Sequence, residues 1–151
     1  MNIRPYQPAD EAAVVEVWYG AGKAAYTFLS LWQELTKEKA LAIFREHILP
    51  EHEIWVAEEG HKIVAYMALK GNYISRLYVN PEDQSHGVGD ALLEHARNLH
   101  PDGLELHTHV ENYPARQFYE RRGFVAVKFG ISPAPEFKPD VEYHWRPSHY
   151  E

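Results

Sequence analysis

The stretch Gln84-Ser85-His86-Gly87-Val88-Gly89, followed at once by Asp90-Ala-Leu-Leu-Glu-His-Ala-Arg-Asn-Leu99, decides how this chain is read. Before it runs a strand-like segment, Tyr73-Ile-Ser-Arg-Leu-Tyr-Val79, and a turn, Asn80-Pro-Glu-Asp83. A strand, a glycine loop and an amphipathic helix in that order make an anion site. The first amides of a helix have no intrahelical acceptor, and its dipole places partial positive charge at that end. Gly87 and Gly89 remove side chains that would keep a pyrophosphate away from those amides. A phosphorylated cofactor is expected at this loop.

The bulk numbers narrow the class. A chain of 151 residues with 45% hydrophobic residues fits a single domain, residues 1–151, with a real core. No apolar run reaches the ~18 residues of a membrane helix, and Met1-Asn-Ile-Arg-Pro-Tyr-Gln-Pro8 lacks the apolar core of a signal peptide, so a cytoplasmic protein without membrane contact is expected. Zero cysteines exclude disulfides, thiolate metal sites and a cysteine nucleophile. A net charge of −7 argues against nucleic acid as a partner, and it means that local geometry must hold any polyanionic cofactor.

The order of elements follows from periodicity. Ile3 to Tyr6 reads as an edge strand, because Pro5 cannot donate to a ladder. Asp10 is placed to cap a helix carrying Ala13, Val14, Val17 and Trp18, which Gly20 and Gly22 are expected to end. Ser30 to Thr36 reads as a bend. Thr36 then caps a helix from Lys37 to His47, with Ala40, Leu41, Phe44 and Ile48 on one face. Glu53 to Glu58 and Lys62 to Leu69 form a hairpin around Gly60. After the glycine-loop helix, Leu104 to Val110 alternates like a strand. Tyr113 to Arg122 is a short helix with Pro114 in its first turn and Gly123 as its C-cap. Two last strands, Phe124 to Phe129 and Val141 to Trp145, flank a Pro-rich loop, Ser132 to Asp140. The fold class is mixed α/β (α+β), with a central, mostly antiparallel twisted sheet and about four helices.

Two familiar phosphate loops fail here. Asp90 and Ala91 stand where a P-loop needs Lys and Ser or Thr, and the dinucleotide fingerprint lacks its third glycine. A tight turn with no ligand remains the plain alternative for a lone G-x-G. The order of strand, Asn80-Pro-Glu-Asp-Gln84, x-x-Gly87-x-Gly89 and Leu92-Leu93 nevertheless resembles the acyl-CoA motif of the GNAT N-acetyltransferase superfamily. A second block, Asn112-Tyr-Pro-Ala115-Arg-Gln-Phe118-Tyr119-Glu-Arg-Arg-Gly123-Phe124, is similar to that family's N-x-x-A-x-x-F-Y-x-x-x-G-F segment. The elements fit the family fold along essentially the whole chain.

The resemblance implies a bulged strand that splays from its neighbour, leaving a slot where the pantetheine arm of acetyl-CoA pairs like an added strand. Leu77, Tyr78 and Val79 would supply those backbone groups, and an amide near Val79 would polarise the thioester carbonyl. The amides of Gln84, Ser85, His86, Gly87, Val88, Gly89 and Asp90 would hold the pyrophosphate. Asn112 would hold the arm, with Ala115 and Phe118 lining the slot. Tyr119 sits at the family's usual general acid, able to protonate the departing thiolate; a packed aromatic is its bland alternative. Asp90 departs from the family pattern, and a carboxylate there would repel phosphate and weaken cofactor binding. Ser85 in place of the frequent glycine is a milder departure.

The acceptor side is thinner. Glu105, His107, His109, Glu142 and His144 are candidate bases on strands beside the slot, and His107 and His109 share one strand face. They are half-exposed strand residues on the plainer reading. Without HExxH or a placed third ligand, no metal is expected. Tyr26, Phe28 and Trp32 would wall the acceptor site, suiting an apolar or cationic amine, although core packing explains Trp32 equally well. The implied activity is acetyl transfer from acetyl-CoA to a primary amine of a small molecule or peptide, by direct attack in a ternary complex. A non-catalytic CoA-binding sensor with the same fold is the alternative. Many relatives are homodimers, and no sequence feature decides the oligomeric state.

Overall fold

In a computed structural model that describes residues 1–26, 29–133 and 136–147, all seven strands join one sheet in the order β1-β2-β3-β4-β5-β7-β6. The strands are β1 (Asn2–Pro5), β2 (Glu53–Glu59), β3 (Lys62–Lys70), β4 (Tyr73–Val79), β5 (Leu104–His109), β6 (Val125–Ile131) and β7 (Pro139–Trp145). The helices are α1 (Glu11–Ala25), α2 (Ser30–Gln33), α3 (Lys37–Ile43), α4 (Val88–Leu99) and α5 (Tyr113–Glu120). No described helix is long and apolar enough to cross a membrane.

Every neighbouring pair of strands is antiparallel except β4 and β5, which run parallel and meet at one register pair, Tyr73 with Glu105. Beyond Tyr73 no residue of β4 has a partner on β5. Opposite β3, the register moves from Ala68–Arg76 to Leu69–Ile74, so Ser75 is an extra residue that bends β4. The bulge and the splay together open the sheet at its centre.

Helices cover the two faces unequally. On one face α4 and α5 bury Leu92, Leu93, Ala96 and Tyr119 against Met67, Leu69, Leu104, Leu106 and Tyr143. On the other, α1 and α3 bury Val14, Val17, Trp18, Ala40 and Phe44 against Ile54, Val56, Tyr66 and Ala68. β3 is covered on both sides, which explains its unbroken apolar run from Ile63 to Leu69.

Four local expectations are corrected. Gly20 and Gly22 do not end α1, which continues to Ala25. A Cβ at Gly22 would lie 2.1 Å from the Trp32 ring, so this glycine is where α2's tryptophan packs on α1. Asp10 does not cap α1 with its side chain; its carboxylate accepts the Gln7 N–H at 2.8 Å and both oxygens take the Arg4 guanidinium. The Ser30 bend is the short helix α2, and α3 widens into a π-turn over Phe44–Ile48 in place of continuing to His47 as an α-helix. The Thr36 cap forms as read, accepting the Lys39 N–H at 3.2 Å.

Candidate active site

The end of β4 leads through a turn at Pro81–Asp83 into the glycine loop, and Gln84 ties the two together by donating its Nε2 to the Val79 carbonyl at 3.1 Å. Ser85 (φ 69°) and Gly87 (φ 82°) both take the left-handed conformation, which curls successive amides to one side as an anion-binding nest. Among the described residues none of the amides from Ser85 to Asp90 has an acceptor within the chain, and Gly87 opens on empty space. Six unsatisfied donors at the start of a helix fit a pyrophosphate.

Gly89 has a different reason to be glycine from the one its motif suggests. A Cβ there would lie 3.1 Å from Cζ of Phe118, so its smallness serves the packing of α5 on α4. Asp90 is not an isolated carboxylate at the helix start. It is paired with Arg122, whose Nη2 donates to Oδ2 at 3.0 Å, and the bonded guanidinium holds its carboxyl below the usual range. Arg122 in turn lies over the Phe118 ring at 3.9 Å and donates to the Phe118 carbonyl at 2.8 Å.

β4 presents alternate residues to the two faces. Leu77 and Val79 pack with the α4 core, while Tyr78 points to the α1 side. From α5, Ala115 and Phe118 pack against the same core, and Tyr119 is buried edge-on to Phe118 and Phe124. Burial, reinforced by the neighbouring Tyr78, pushes the Tyr119 phenol up, so it stays protonated. Asn112 is buried and caps α5, its Oδ1 accepting the Ala115 N–H at 3.3 Å. With that oxygen so used, its amide bonds the Tyr26 hydroxyl, which also bonds Tyr78. Tyr26 at the end of α1, Tyr78 of β4, and Tyr119 and the cap Asn112 of α5 therefore converge at the splay, with burial raising Tyr26 as well.

On the α1 side the splay opens into a cavity of about 1050 Å³. Tyr26 stacks on Trp32 at 5.5 Å between centroids, and Trp32 stands edge-on to Trp18 at 5.2 Å, forming its aromatic wall. Phe28, the third residue expected there, lies outside the described residues. His107 and His109 both line the cavity. His109 meets Tyr26 edge-on at 5.5 Å and Glu136 at 3.5 Å, whereas Nδ1 of His107 is engaged by the Tyr73 hydroxyl at 2.7 Å.

The other candidate bases separate from this group. Glu105 and Glu142 both pair with His144 farther along the same sheet face and none of the three lines the cavity, although Glu142 also reaches His107 at 3.6 Å; His144 at 2.6 Å holds the Glu142 carboxyl low. Their oxygens and nitrogen lie within 4.8 Å of one another, close enough to share a cation. Glu105 is also taken by Arg146 at 2.9 Å. Sequence reading missed Tyr73, Arg76, Glu136 and Asp140, all cavity residues. Glu136 and Asp140 fall within the Pro-rich stretch Ser132 to Asp140, while Tyr73 and Arg76 lie on the strand whose bulge and splay open the cavity.

Known proteins agree with this geometry. A family model of the GNAT acetyltransferase domain matches residues 50–126, the span from β2 through α5. The peptidyl-lysine N-acetyltransferase YjaB of Salmonella typhimurium is 30% identical over 125 residues, covering 82% of this chain and 83% of its own. The solution structure of apo YjaB from Escherichia coli superposes with a TM-score of 0.79 at 25% identity, covering 95% of this chain and 96% of that one. The PaiA N-acetyltransferase of Thermoplasma acidophilum, solved with coenzyme A, shares the fold (TM-score 0.69, 20% identity, 97% and 100% covered). The splayed β4, the nest and the Asn112–Phe124 block all lie within residues 50–126, the span the family model matches, and the relatives are named as enzymes, not as sensors. The chain belongs to the GNAT family of N-acetyltransferases.

Proposed function

We propose that the enzyme transfers acetyl from acetyl-CoA to a primary amine by direct attack in a ternary complex, with Tyr119 as the proton donor. The observation that carries this reading is the buried, protonated Tyr119 phenol beside a splayed strand whose loop ends in six unsatisfied amides. Bound acetyl-CoA supplies the thioester. The amides of Ser85 to Asp90 would take its pyrophosphate, and the open edge of β4 at Leu77, Tyr78 and Val79 would pair with its arm. Zero cysteines suit a reducing, cytoplasmic setting.

The proton traffic can be assigned to named atoms. The amine loses a proton to His109, directly or through a water, and its lone pair forms the C–N bond at the acetyl carbon. The C–S bond breaks with its electron pair on sulfur, which takes the Tyr119 proton. The imidazolium then returns a proton to the Tyr119 oxygen through solvent, so the products are the amide and the free thiol. His109 is favoured over His107 because it meets Tyr26, which converges with Tyr119 at the splay, and over Glu105, Glu142 and His144 because those lie outside the cavity. The lysine amine in the names of relatives such as YjaB supports an alkylammonium acceptor in this cavity.

Tyr119→Phe tests the acid. Its kcat is expected to fall by about 10²–10⁴, the usual contribution of a placed general acid, while acetyl-CoA still binds. Full turnover across pH in that variant refutes the assignment.

A further inference from the structure

The cavity is electrically divided by the slot it straddles. Its β5 side, with β7 and the loop leading into it, carries His109, Glu136 and Asp140. Its β4 and α3 side carries Arg76 and Lys39. Arg76 is half-buried and firmly held: its guanidinium lies 3.8 Å over the Trp18 ring, and Nη1 donates to the hydroxyl of the fully buried Tyr66 at 3.2 Å. Among the described residues no carboxylate reaches Arg76 or Lys39 within ion-pair distance, although acids outnumber bases by 22 to 15 in this chain. Six of the eight arginines are paired with carboxylates, and Arg121, the other one without a carboxylate among the described residues, is exposed.

A guanidinium partly withdrawn from water and stacked on an indole has lost hydration that only an anion restores in full. With one face on Trp18 and Nη1 on Tyr66, Arg76 keeps Nη2 and Nε, a fork matched to a carboxylate. We infer that the amine acceptor also carries a carboxylate, which Arg76 receives on the β4 side while the amine lies on the β5 side. The acceptor class is a free amino acid or amino-carboxylic acid with an apolar body against Trp18 and Trp32. This rests on the acetyl-transfer reading and narrows it, since a lysine side chain within a peptide brings a cation alone and leaves Arg76 without a partner.

The test compares probes that differ only in the carboxylate, L-phenylalanine with phenethylamine and 6-aminohexanoate with pentylamine, by release of CoA thiol from acetyl-CoA. At least one acid is expected to exceed its partner in kcat/KM by tenfold or more. Arg76→Gln should reduce that ratio to below threefold, and Arg76→Lys should retain part of it. As a measurement independent of any variant, 3-phenylpropionate should compete with the amine acceptor where 3-phenylpropionamide does not. Equal or better use of the decarboxylated amines overturns the inference and leaves acetyl transfer standing, as does a preference that survives Arg76→Gln. If acetyl-CoA binds and none of the four probes is acetylated, the inference falls. If acetyl-CoA itself fails to bind, the underlying reading falls with it.

Discussion

Gly89→Ala separates the two reasons for the second loop glycine. If its smallness admits pyrophosphate, a methyl group there weakens acetyl-CoA. The added Cβ would instead face Phe118, 3.1 Å from Cζ and 3.2 Å from Cε1, where carbon contacts settle at about 3.5–4.0 Å. The ring must therefore move by about 0.5 Å. It is hemmed in by Arg122 over it at 3.9 Å and Tyr119 edge-on at 5.1 Å, so the displacement passes to the candidate acid. Overpacking of this kind costs about 1–3 kcal/mol, and alanine returns up to about 1 kcal/mol of helix propensity, leaving a small net loss. A misplacement of about 1 Å in a catalytic group costs roughly a hundredfold, so half of that predicts about a tenfold fall in kcat. Isothermal titration with acetyl-CoA and steady-state kinetics read the two quantities apart. The expected pattern is a lower kcat with a dissociation constant within about threefold of wild type. A tenfold weaker dissociation constant with kcat intact would refute the packing account.

Two further outcomes follow from ion pairs. Because Arg122 compensates Asp90, Asp90→Ser is expected to change acetyl-CoA affinity by less than about twofold, whereas Arg122→Ala exposes the carboxylate at the helix start and weakens binding more strongly at low salt; titrations at two salt concentrations check this, and fivefold tightening in Asp90→Ser would show repulsion acting through the pair. Asp10 is buried and held low, first by hydrogen bonding to Arg4, so its stabilisation is complete above the unfolded carboxyl value near 3.9 and is lost as pH falls through the lower folded value. Asp10→Asn should therefore lower Tm by roughly 5–10 °C at neutral pH, from about 1.5–3 kcal/mol for bonds to charged groups, and the two melting curves should converge as the pH falls through the lowered Asp10 value.

What could be read from sequence was what one short stretch determines. The order β4, turn, glycine loop and α4 lies within Tyr73–Leu99, and Pro114 in the first turn of α5 and Gly123 just past its end lie in one short block, so these elements announced themselves by spacing. What failed was set by a distant partner. Gly22 looks like a helix breaker until Trp32 packs on it. Asp10 looks like a cap until Arg4 claims both its oxygens. In each case the local propensity was read correctly and a tertiary contact outweighed it.

The same distinction separates the two halves of the reaction. The amides expected to hold the cofactor are contiguous backbone, insensitive to most side-chain changes around them, and a chain can diverge widely while keeping them. The acceptor cavity instead gathers Trp18 from α1, Tyr26 just past its end, Trp32 from α2, Arg76 from β4, His109 from β5 and Glu136 from the loop before β7. No motif spans such a set, and one substitution in any of these elements changes its charge or shape without touching the fold. Relatives at 30% identity can thus share acetyl transfer and differ in acceptor. The residue to examine for that difference is a half-buried guanidinium with a stacked face, a tyrosine anchor and no carboxylate of its own among the described residues.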